Sequence, residues 1–304
     1  MISVIVCTYN RDKYIYQCLN QLAINITHFD WEIILVNNNS TDNTHTECER
    51  FVKDFPEINF HYFVETTPGL SYARNRGMRE AHGNWFVFLD DDSMVQSDYV
   101  ENLGNFLVSH PNAGAFGGAI EPFFEKESPV WLSKWSMGFV SAINLGNEVK
   151  LFPKDKYPIG ANMGIARNVI NQIGNFNTSL GRTKNLLLGG EEKDIFMRIH
   201  AEGYPIYYFP LIEVKHCIPP RRTTDEYIRN LGYGVGVSER LRTCSISRLV
   251  YIKRLVAECI KWVGTIILWF LYAISFQLPK GNVLVRFRYN VSRGLISGRV
   301  ENNA

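Results

Sequence analysis

The stretch Asn84-Trp-Phe-Val-Phe-Leu-Asp-Asp-Asp-Ser93 decides how the chain is read. Trp85 to Leu89 are aromatic, branched or leucine, and such continuous hydrophobicity is the composition of a strand buried on both faces. Three consecutive carboxylates, Asp90, Asp91 and Asp92, then emerge at its carboxyl end. Ligands of open α/β sheets sit at that end, and adjacent carboxylates repel unless a cation or a donor-rich partner compensates them. Two readings stand open. One is a site for a hard divalent metal, which prefers oxygen ligands and brings a phosphate with it. The other is a solvated turn whose last Asp, or Ser93, caps the next helix.

Upstream, Ile2 to Cys7 is a short β-rich run closed by Thr8-Tyr9-Asn10-Arg11, followed by helical spacing from Lys13 to Ile24. Trp31 to Val36 is a second strand ending in Asn37-Asn-Asn-Ser-Thr-Asp42, and Asp42 to Phe55 is again helical. Asn59 to Val64 reads as a third strand and Leu70 to Ala81 as a helix. This alternation predicts a parallel, doubly wound sheet with right-handed crossovers. The polar ends Thr8-Tyr9-Asn10, Asn37 to Asp42 and Asp90 to Asp92 would then line one edge. A nucleotide needs that combination, although surface loops are polar for many reasons. In Pro68 to Ala81, Gly69 loosens the start of the helix and Gly77 permits close backbone packing. Arg74, Arg76 and Arg79 cannot share one helix face. Arg74 is the candidate to turn inward toward a phosphate or base.

The 304 residues suffice for one large or two modest domains. A net charge of +2 gives no reason to expect nucleic-acid binding. Six cysteines are scattered with no CxxC pair, so neither a zinc site nor a disulfide framework is suggested, and free thiols in a reducing cytosol are the simpler reading. Met1 leads straight into the first strand with no basic, apolar leader, so the catalytic part is expected in the cytoplasm.

With these segments in order, the chain resembles an inverting nucleotide-sugar glycosyltransferase of family 2 with a GT-A fold. The resemblance rests on Ser3-Val-Ile-Val-Cys-Thr-Tyr-Asn-Arg11, Leu35-Val-Asn-Asn-Asn-Ser-Thr-Asp42, Gly69-Leu-Ser-Tyr-Ala-Arg-Asn-Arg-Gly77 and Phe88-Leu-Asp-Asp-Asp92. Gly160-Ala-Asn-Met-Gly-Ile-Ala-Arg167 and Gly189-Gly-Glu-Glu-Lys-Asp194 extend it, so it covers about residues 1 to 220. It implies a mostly parallel, mixed sheet flanked by helices. Residues 1–100 would be the nucleotide-binding half, 101–220 the donor-sugar and acceptor half, and 221–304 a helical, membrane-associated extension.

The resemblance also implies roles. Asp90 becomes a ribose or metal-bridging contact, Asp92 the direct ligand of Mn²⁺ or Mg²⁺, and His216 a residue that completes the metal shell. Thr8, Tyr9, Asn10, Arg11, Asn37, Asn39, Arg74, Asp90 and Asp91 are nucleotide-binding candidates. Asn37 departs from the aspartate of the common VDNxS pattern, and an amide both donates and accepts where a carboxylate only accepts. Glu192 stands where the family has its catalytic base, one methylene longer than Asp, with Glu191 and Asp194 as less favoured alternatives. From their residue types alone, Glu191, Glu192 and Asp194 also suit a first helical turn, where the dipole favours acids. Asn162 is the candidate donor-sugar contact. Trp131 and Trp135 are either sugar-stacking rings or core.

Trp262 to Leu278 carries no charge over 17 residues. As one helix it would be about 25 Å long, short of a roughly 30 Å hydrocarbon core. Lys253, Arg254 and Lys261 precede it, and Lys280, Arg286, Arg288, Arg293 and Arg299 follow. A span would carry one basic cluster across, against the positive-inside tendency. The expectation is a helix lying in or dipping into the cytoplasmic leaflet; a buried helix of a soluble dimer is the alternative. The partners expected are a nucleotide-diphosphate sugar and a saccharide or lipid-linked acceptor. A nucleotidyltransferase and a catalytically silent sugar-nucleotide-binding scaffold are the rival readings.

Overall fold

The computed structural model describes residues 1–154, 156–181 and 189–297, which leaves Arg299 outside. The first unit comprises Met1–Phe123, Ser141–Ser179 and Glu191–Cys217. The alternating runs of its amino-terminal part fold as β1 (Ile2–Thr8), α1 (Asp12–Ala23), β2 (Trp31–Asn37), α2 (Thr44–Asp54), β3 (Phe60–Val64), α3 (Leu70–Glu80) and β4 (Trp85–Asp90). After β4 come β5 (Ser93–Val95), α4 (Tyr99–Ser109), β6 (Ala115–Phe124), β7 (Lys150–Leu151), β8 (Asn162–Ala166), α5 (Arg167–Ile173), α6 (Glu191–Ala201) and β9 (Ile206–Ile218).

Among the described residues the strands form one sheet in the order β3-β2-β1-β4-β8-β6-β9-β5, with β7 beside β9. Strands β1 to β4 pair in parallel. The β4–β8, β8–β6 and β5–β9 pairings are antiparallel. The doubly wound expectation therefore holds for the first half of a mixed sheet. Both faces of that half are covered: Val4, Val6 and Leu35 point into one core with Ile15, Leu19 and Phe51, while Ile5, Ile34 and Phe88 point into another with Ala73 and Met78. Burial on two faces is why these strands read as unbroken hydrophobic runs. A Cβ at Gly77 would collide with Ile5, so glycine there lets α3 lie close on β1.

Strand β9 runs 13 residues and passes through Pro210. Pro210 falls between the residues paired with β7 (Tyr207, Tyr208) and those paired with β5 (from Val214), so it interrupts neither of those two ladders.

The second unit comprises Phe124–Val140, Leu180–Gly190 and Ile218–Ala304, so the division is not a single cut near residue 220. Three helices dominate it: α7 (Asp225–Ile246), α8 (Arg248–Ile274) and α9 (Leu278–Ser297). Helices α7 and α9 touch backbone to backbone, because a Cβ at Gly236 would strike Val291 O and one at Gly294 would strike Tyr233 O. The uncharged run 262–278 is not one helix. Helix α8 ends at Ile274, Ser275 caps it, Phe276 takes φ 57°, and α9 begins at Leu278. The chain then doubles back, and Trp269 and Trp262 of α8 donate to Asn282 and Ser292 of α9.

Helix α8 is inside-out for a helix in water. Its buried residues are Glu258 and Thr265. Glu258 accepts from Arg254 (2.8 Å) and Arg288 (3.2 Å), and Arg254 also donates to Glu239 of α7 (2.8 Å). Leu249, Ile252, Val256, Ile260, Val263, Ile267, Phe270 and Ile274 point outward, each more than half exposed. Among the described residues this is the one helix long and apolar enough to cross a membrane.

Candidate active site

The parallel register aligns the strand ends that carry the chemistry. Thr8 stands opposite Asn37, and Cys7 opposite Asp90. The loops after β1 and β2 are stitched together: Asn10 Oδ1 accepts from Thr41 N (2.8 Å), Asn10 N donates to Ser40 Oγ (2.9 Å), and Arg11 N donates to Thr44 Oγ1 (3.0 Å). Asn10 and Asn39 both adopt positive φ, 53° and 62°, a conformation asparagine tolerates better than most residues. Asn10 and Asn39 are exposed, Tyr9 is half-buried, and Thr8 is buried.

Asn37 is buried at the end of β2. Its Oδ1 accepts from Ser40 N (2.8 Å) and its Nδ2 donates to Tyr62 Oη (2.8 Å). The amide thus donates on one side and accepts on the other, which an aspartate cannot do. Asn38, not singled out in the sequence, holds the approach to α3: it accepts from Gly69 N and donates to Glu65 O and Thr67 O.

The three aspartates diverge from the tip of β4. Because β5 folds back at once and pairs antiparallel with β9, Ser93 registers with His216, and Cys217 N donates to Asp92 O. That pairing carries His216 to the carboxylates. Its Nε2 lies 2.9 Å from Asp92 Oδ1 and 3.9 Å from Asp90 Oδ2. One ligand atom each from Asp90, Asp92 and His216 falls within 4.8 Å of the other two. Two carboxylate oxygens and an imidazole nitrogen this close fit a divalent cation that accepts both donor types. Asp92 and His216 are buried, and Asp90 is partly open, as an approach for a ligand requires.

Arg11 faces the same acids, Nε 3.4 Å from Asp91 Oδ1 and Nη2 3.6 Å from Asp92 Oδ2. Burial drives the Asp91 carboxyl upward, with Asp92 and Asp90 adding to the push; Arg11 opposes them, and the result is a pKa of about 7. Burial likewise raises the Cys7 thiol, to about 12, so it is no nucleophile.

Arg74 does turn inward, and its partners are acids. It is 2% exposed, with Nη1 3.2 Å from Glu191 Oε1 and Nη2 3.1 Å from Glu192 Oε1. Burial disfavours its charge, but Glu192 and Glu191 outweigh that and hold its pKa above the ordinary arginine value. Glu191 and Glu192 open α6 directly after Gly190, which takes φ 100°. Gly160 lies against this pair, since a Cβ there would come 2.6 Å from Glu192 Oε1 and closer still to Arg74 Nη2. The pairing spans more than a hundred residues, beyond the reach of local sequence patterns.

Four further candidates have other partners or surroundings. Asn162 is fully buried, donates to Ala119 O (3.0 Å) and Ile212 O (2.6 Å), and accepts from Tyr99 Oη (2.8 Å). It is a polar pin of the core, with both amide hydrogens taken by β6 and β9 and its oxygen bonded to α4. Asp194 binds Arg198 at 2.9 Å, and Arg198 in turn satisfies the carbonyls of Ile173, Gly174 and Asn175. In the second unit, Trp131 is buried, donates to Thr223 O and packs near Phe139, whereas Trp135 is 53% exposed with Lys134 over its ring.

Residues 3–174, more than half of the chain, match the sequence model of the family described as Glycosyl transferase family 2. The chain belongs to glycosyltransferase family 2. The glucosyl-dolichyl phosphate glucuronosyltransferase of Haloferax volcanii is 24% identical over 249 residues, 79% of this chain and 76% of that protein. The minor teichoic acid biosynthesis protein GgaB of Bacillus subtilis is 32% identical over 111 residues, 36% of this chain but only 12% of its own length. Among solved structures, the mannosyltransferase PcManGT of Pyrobaculum calidifontis, in complex with GDP-Man and Mn²⁺, superposes with a TM-score of 0.63 at 15% identity. The superposition covers 98% of this chain and 88% of that one, and it shows that this family 2 glycosyltransferase has the GT-A fold.

Proposed function

We propose that the chain is an inverting glycosyltransferase that moves a sugar from a nucleotide-diphosphate donor to a hydroxyl of a saccharide or lipid-linked acceptor in cell-surface glycan synthesis. The observation that carries this is the convergence of Asp90, Asp92 and His216 at the ends of β4 and β9, beside the stitched loops after β1 and β2. The neighbour solved with GDP-Man and Mn²⁺ and the relatives named as a glucosyl-dolichyl phosphate glucuronosyltransferase and a minor teichoic acid biosynthesis protein support it.

In this reading Asp92 and His216 hold Mn²⁺ or Mg²⁺, with Asp90 as third ligand. The bound cation supplies positive charge against the diphosphate leaving group. Thr8, Tyr9, Asn10 and Asn39 frame the base and ribose, and Asn37 shapes that pocket through Ser40 and Tyr62. Arg11, already facing Asp91 and Asp92, is placed to meet a phosphate. Glu192 takes the proton from the acceptor hydroxyl as that oxygen attacks the anomeric carbon from the face opposite the nucleotide, so configuration inverts in one displacement. A carboxylate in that role contributes about 10²–10⁴-fold. Arg74 orients Glu192, and Glu191 holds Arg74 as well.

Helices α8 and α9 are read as a hairpin that dips into the cytoplasmic leaflet. From Val263 to Ile274 the exposed surface of α8 is apolar, a depth of about 18 Å that cannot cross a roughly 30 Å core. Doubling back returns Arg288 and Arg293 to the level of Lys253 and Lys261, which eases the conflict with the positive-inside tendency, while Lys280 stays at the tip of the hairpin with its Nζ donating to Gln277 Oε1.

Glu192→Gln tests the chemistry. It should lose at least 10²-fold in sugar transfer while binding the nucleotide sugar as the wild type does. Unchanged turnover would remove Glu192 as base, and a wild type without turnover on any sugar nucleotide would favour the silent binder.

A further inference from the structure

The opposite edge of the sheet carries a second convergence of ligand-type side chains. Glu32 is the second residue of β2, registers with Ser3 of β1, and is 1% exposed. A carboxylate this deep requires its oxygens to be satisfied. Its Oε1 is: Ser3 Oγ and His82 N each donate to it at 2.6 Å, and Gly83 N donates to Ser3 Oγ at 2.8 Å. Its Oε2 is turned to two imidazoles, His82 Nδ1 at 3.0 Å and His61 Nε2 at 3.6 Å. His61 belongs to β3, and His82 precedes β4. The two rings are 5.9 Å apart, and one ligand atom from each of the three residues lies within 4.8 Å of the others.

These spacings have a chemical meaning. Ligands about 2.0–2.2 Å from a tetrahedral zinc ion stand roughly 3.4 Å from one another. The observed 3.0 and 3.6 Å bracket that value. Two imidazole nitrogens and one carboxylate oxygen form a donor set that suits zinc better than magnesium or calcium. The carboxylate is already oriented by Ser3 and the backbone of His82, which is the outer support metal ligands need. The histidines reach the surface, with side-chain exposures of 38% and 67%, so an ion can enter and a water can take the fourth position.

We propose that Glu32, His61 and His82 bind one zinc ion at the amino-terminal edge of the sheet, clipping β2, β3 and the connection before β4 together. Each ring binds through the nitrogen facing Glu32 and carries its hydrogen on the other nitrogen. The site is separate from Asp90, Asp92 and His216, which lie at the carboxyl ends of their strands, and its role is structural.

The test compares the full chain with His61→Gln, His82→Gln and the double variant, stripped of metal by chelation and titrated with Zn²⁺ by calorimetry and thermal unfolding. Glu32 is left intact because its replacement would disturb folding, and both histidines are open enough to change without doing so. The wild type should bind one more equivalent of zinc than the double variant, and zinc should raise its unfolding temperature by several degrees. Each single variant should weaken that equivalent at least tenfold. Cobalt should give the visible absorption of a tetrahedral site in the wild type alone. Equal stoichiometry and equal thermal shifts in the wild type and the double variant would overturn the proposal. Because Asp92 and Glu192 are unchanged throughout, that outcome would leave the transferase reading standing.

Discussion

Gly160→Ala probes the site where backbone and ion pair are closest. The φ of Gly160 is not in the left-handed region, so alanine meets no backbone strain and the effect is one of space. The new Cβ would sit 2.6 Å from Glu192 Oε1 and nearer to Arg74 Nη2, inside the 3.0 Å that real Cβ atoms keep. The guanidinium must withdraw by about 1 Å, and a misplacement of that size in a catalytic group costs about 10²-fold. Breaking a buried pair costs about 3–5 kcal/mol. Arg74 keeps Glu191 at 3.2 Å and Glu192 is 17% exposed, so about 2–3 kcal/mol is the expected loss. Urea denaturation with a constant slope reads the stability term, and sugar-nucleotide turnover reads the catalytic one. A variant with wild-type midpoint and wild-type turnover would refute the coupling of Gly160, Arg74 and Glu192.

Asn162→Leu should lower stability by about 3 kcal/mol, because the Ala119 and Ile212 carbonyls and the Tyr99 hydroxyl lose their buried partner together; a stable variant with impaired donor-sugar selectivity would restore a direct role for this residue. In chelator, Asp91→Asn should stabilise the chain at pH 8 by a few kcal/mol and have little effect at pH 4, since a carboxyl raised to about 7 in the fold contributes stability below its unfolded pKa and loses it as pH rises through 7. A destabilised variant at pH 8 would mean that Arg11 outweighs burial. Exposed Cys244 and Cys259 should alkylate quickly in the native protein. Anionic vesicles should protect Cys259 on α8, and Phe270→Glu together with Phe276→Glu should abolish flotation with them; flotation that survives both changes would rule out the hairpin as the membrane contact.

The first ninety residues were legible because burial on both faces leaves a plain trace: runs such as Ile33 to Val36 and Phe86 to Leu89 are hydrophobic without alternation. The polar strand ends were legible for the same reason, as interruptions of those runs. Asn162 was misread because an amide in a glycine-rich segment looks the same whether it serves a ligand or the core. Its partners at Tyr99, Ala119 and Ile212 are 43 to 63 residues away. Arg74 was placed inward correctly, but a guanidinium that meets carboxylates 117 and 118 residues later leaves no local signature. The break between α8 and α9 did leave one: Pro279 sits in the first turn of α9, where proline is tolerated, so the uncharged run had to end before it. His216 was singled out only through resemblance, and the β5–β9 register supplies the physical cause of its position beside Asp92.

Calorimetric titration with UDP, GDP, dTDP and CMP sugars, with Mn²⁺ and then in chelator, on the wild type and Asp92→Ala, bears most directly on the metal and nucleotide reading. One donor should bind at one equivalent per chain with Mn²⁺, and at least tenfold more weakly in chelator or in the variant. Binding of the same strength in all three conditions, or none to any donor, would contradict it.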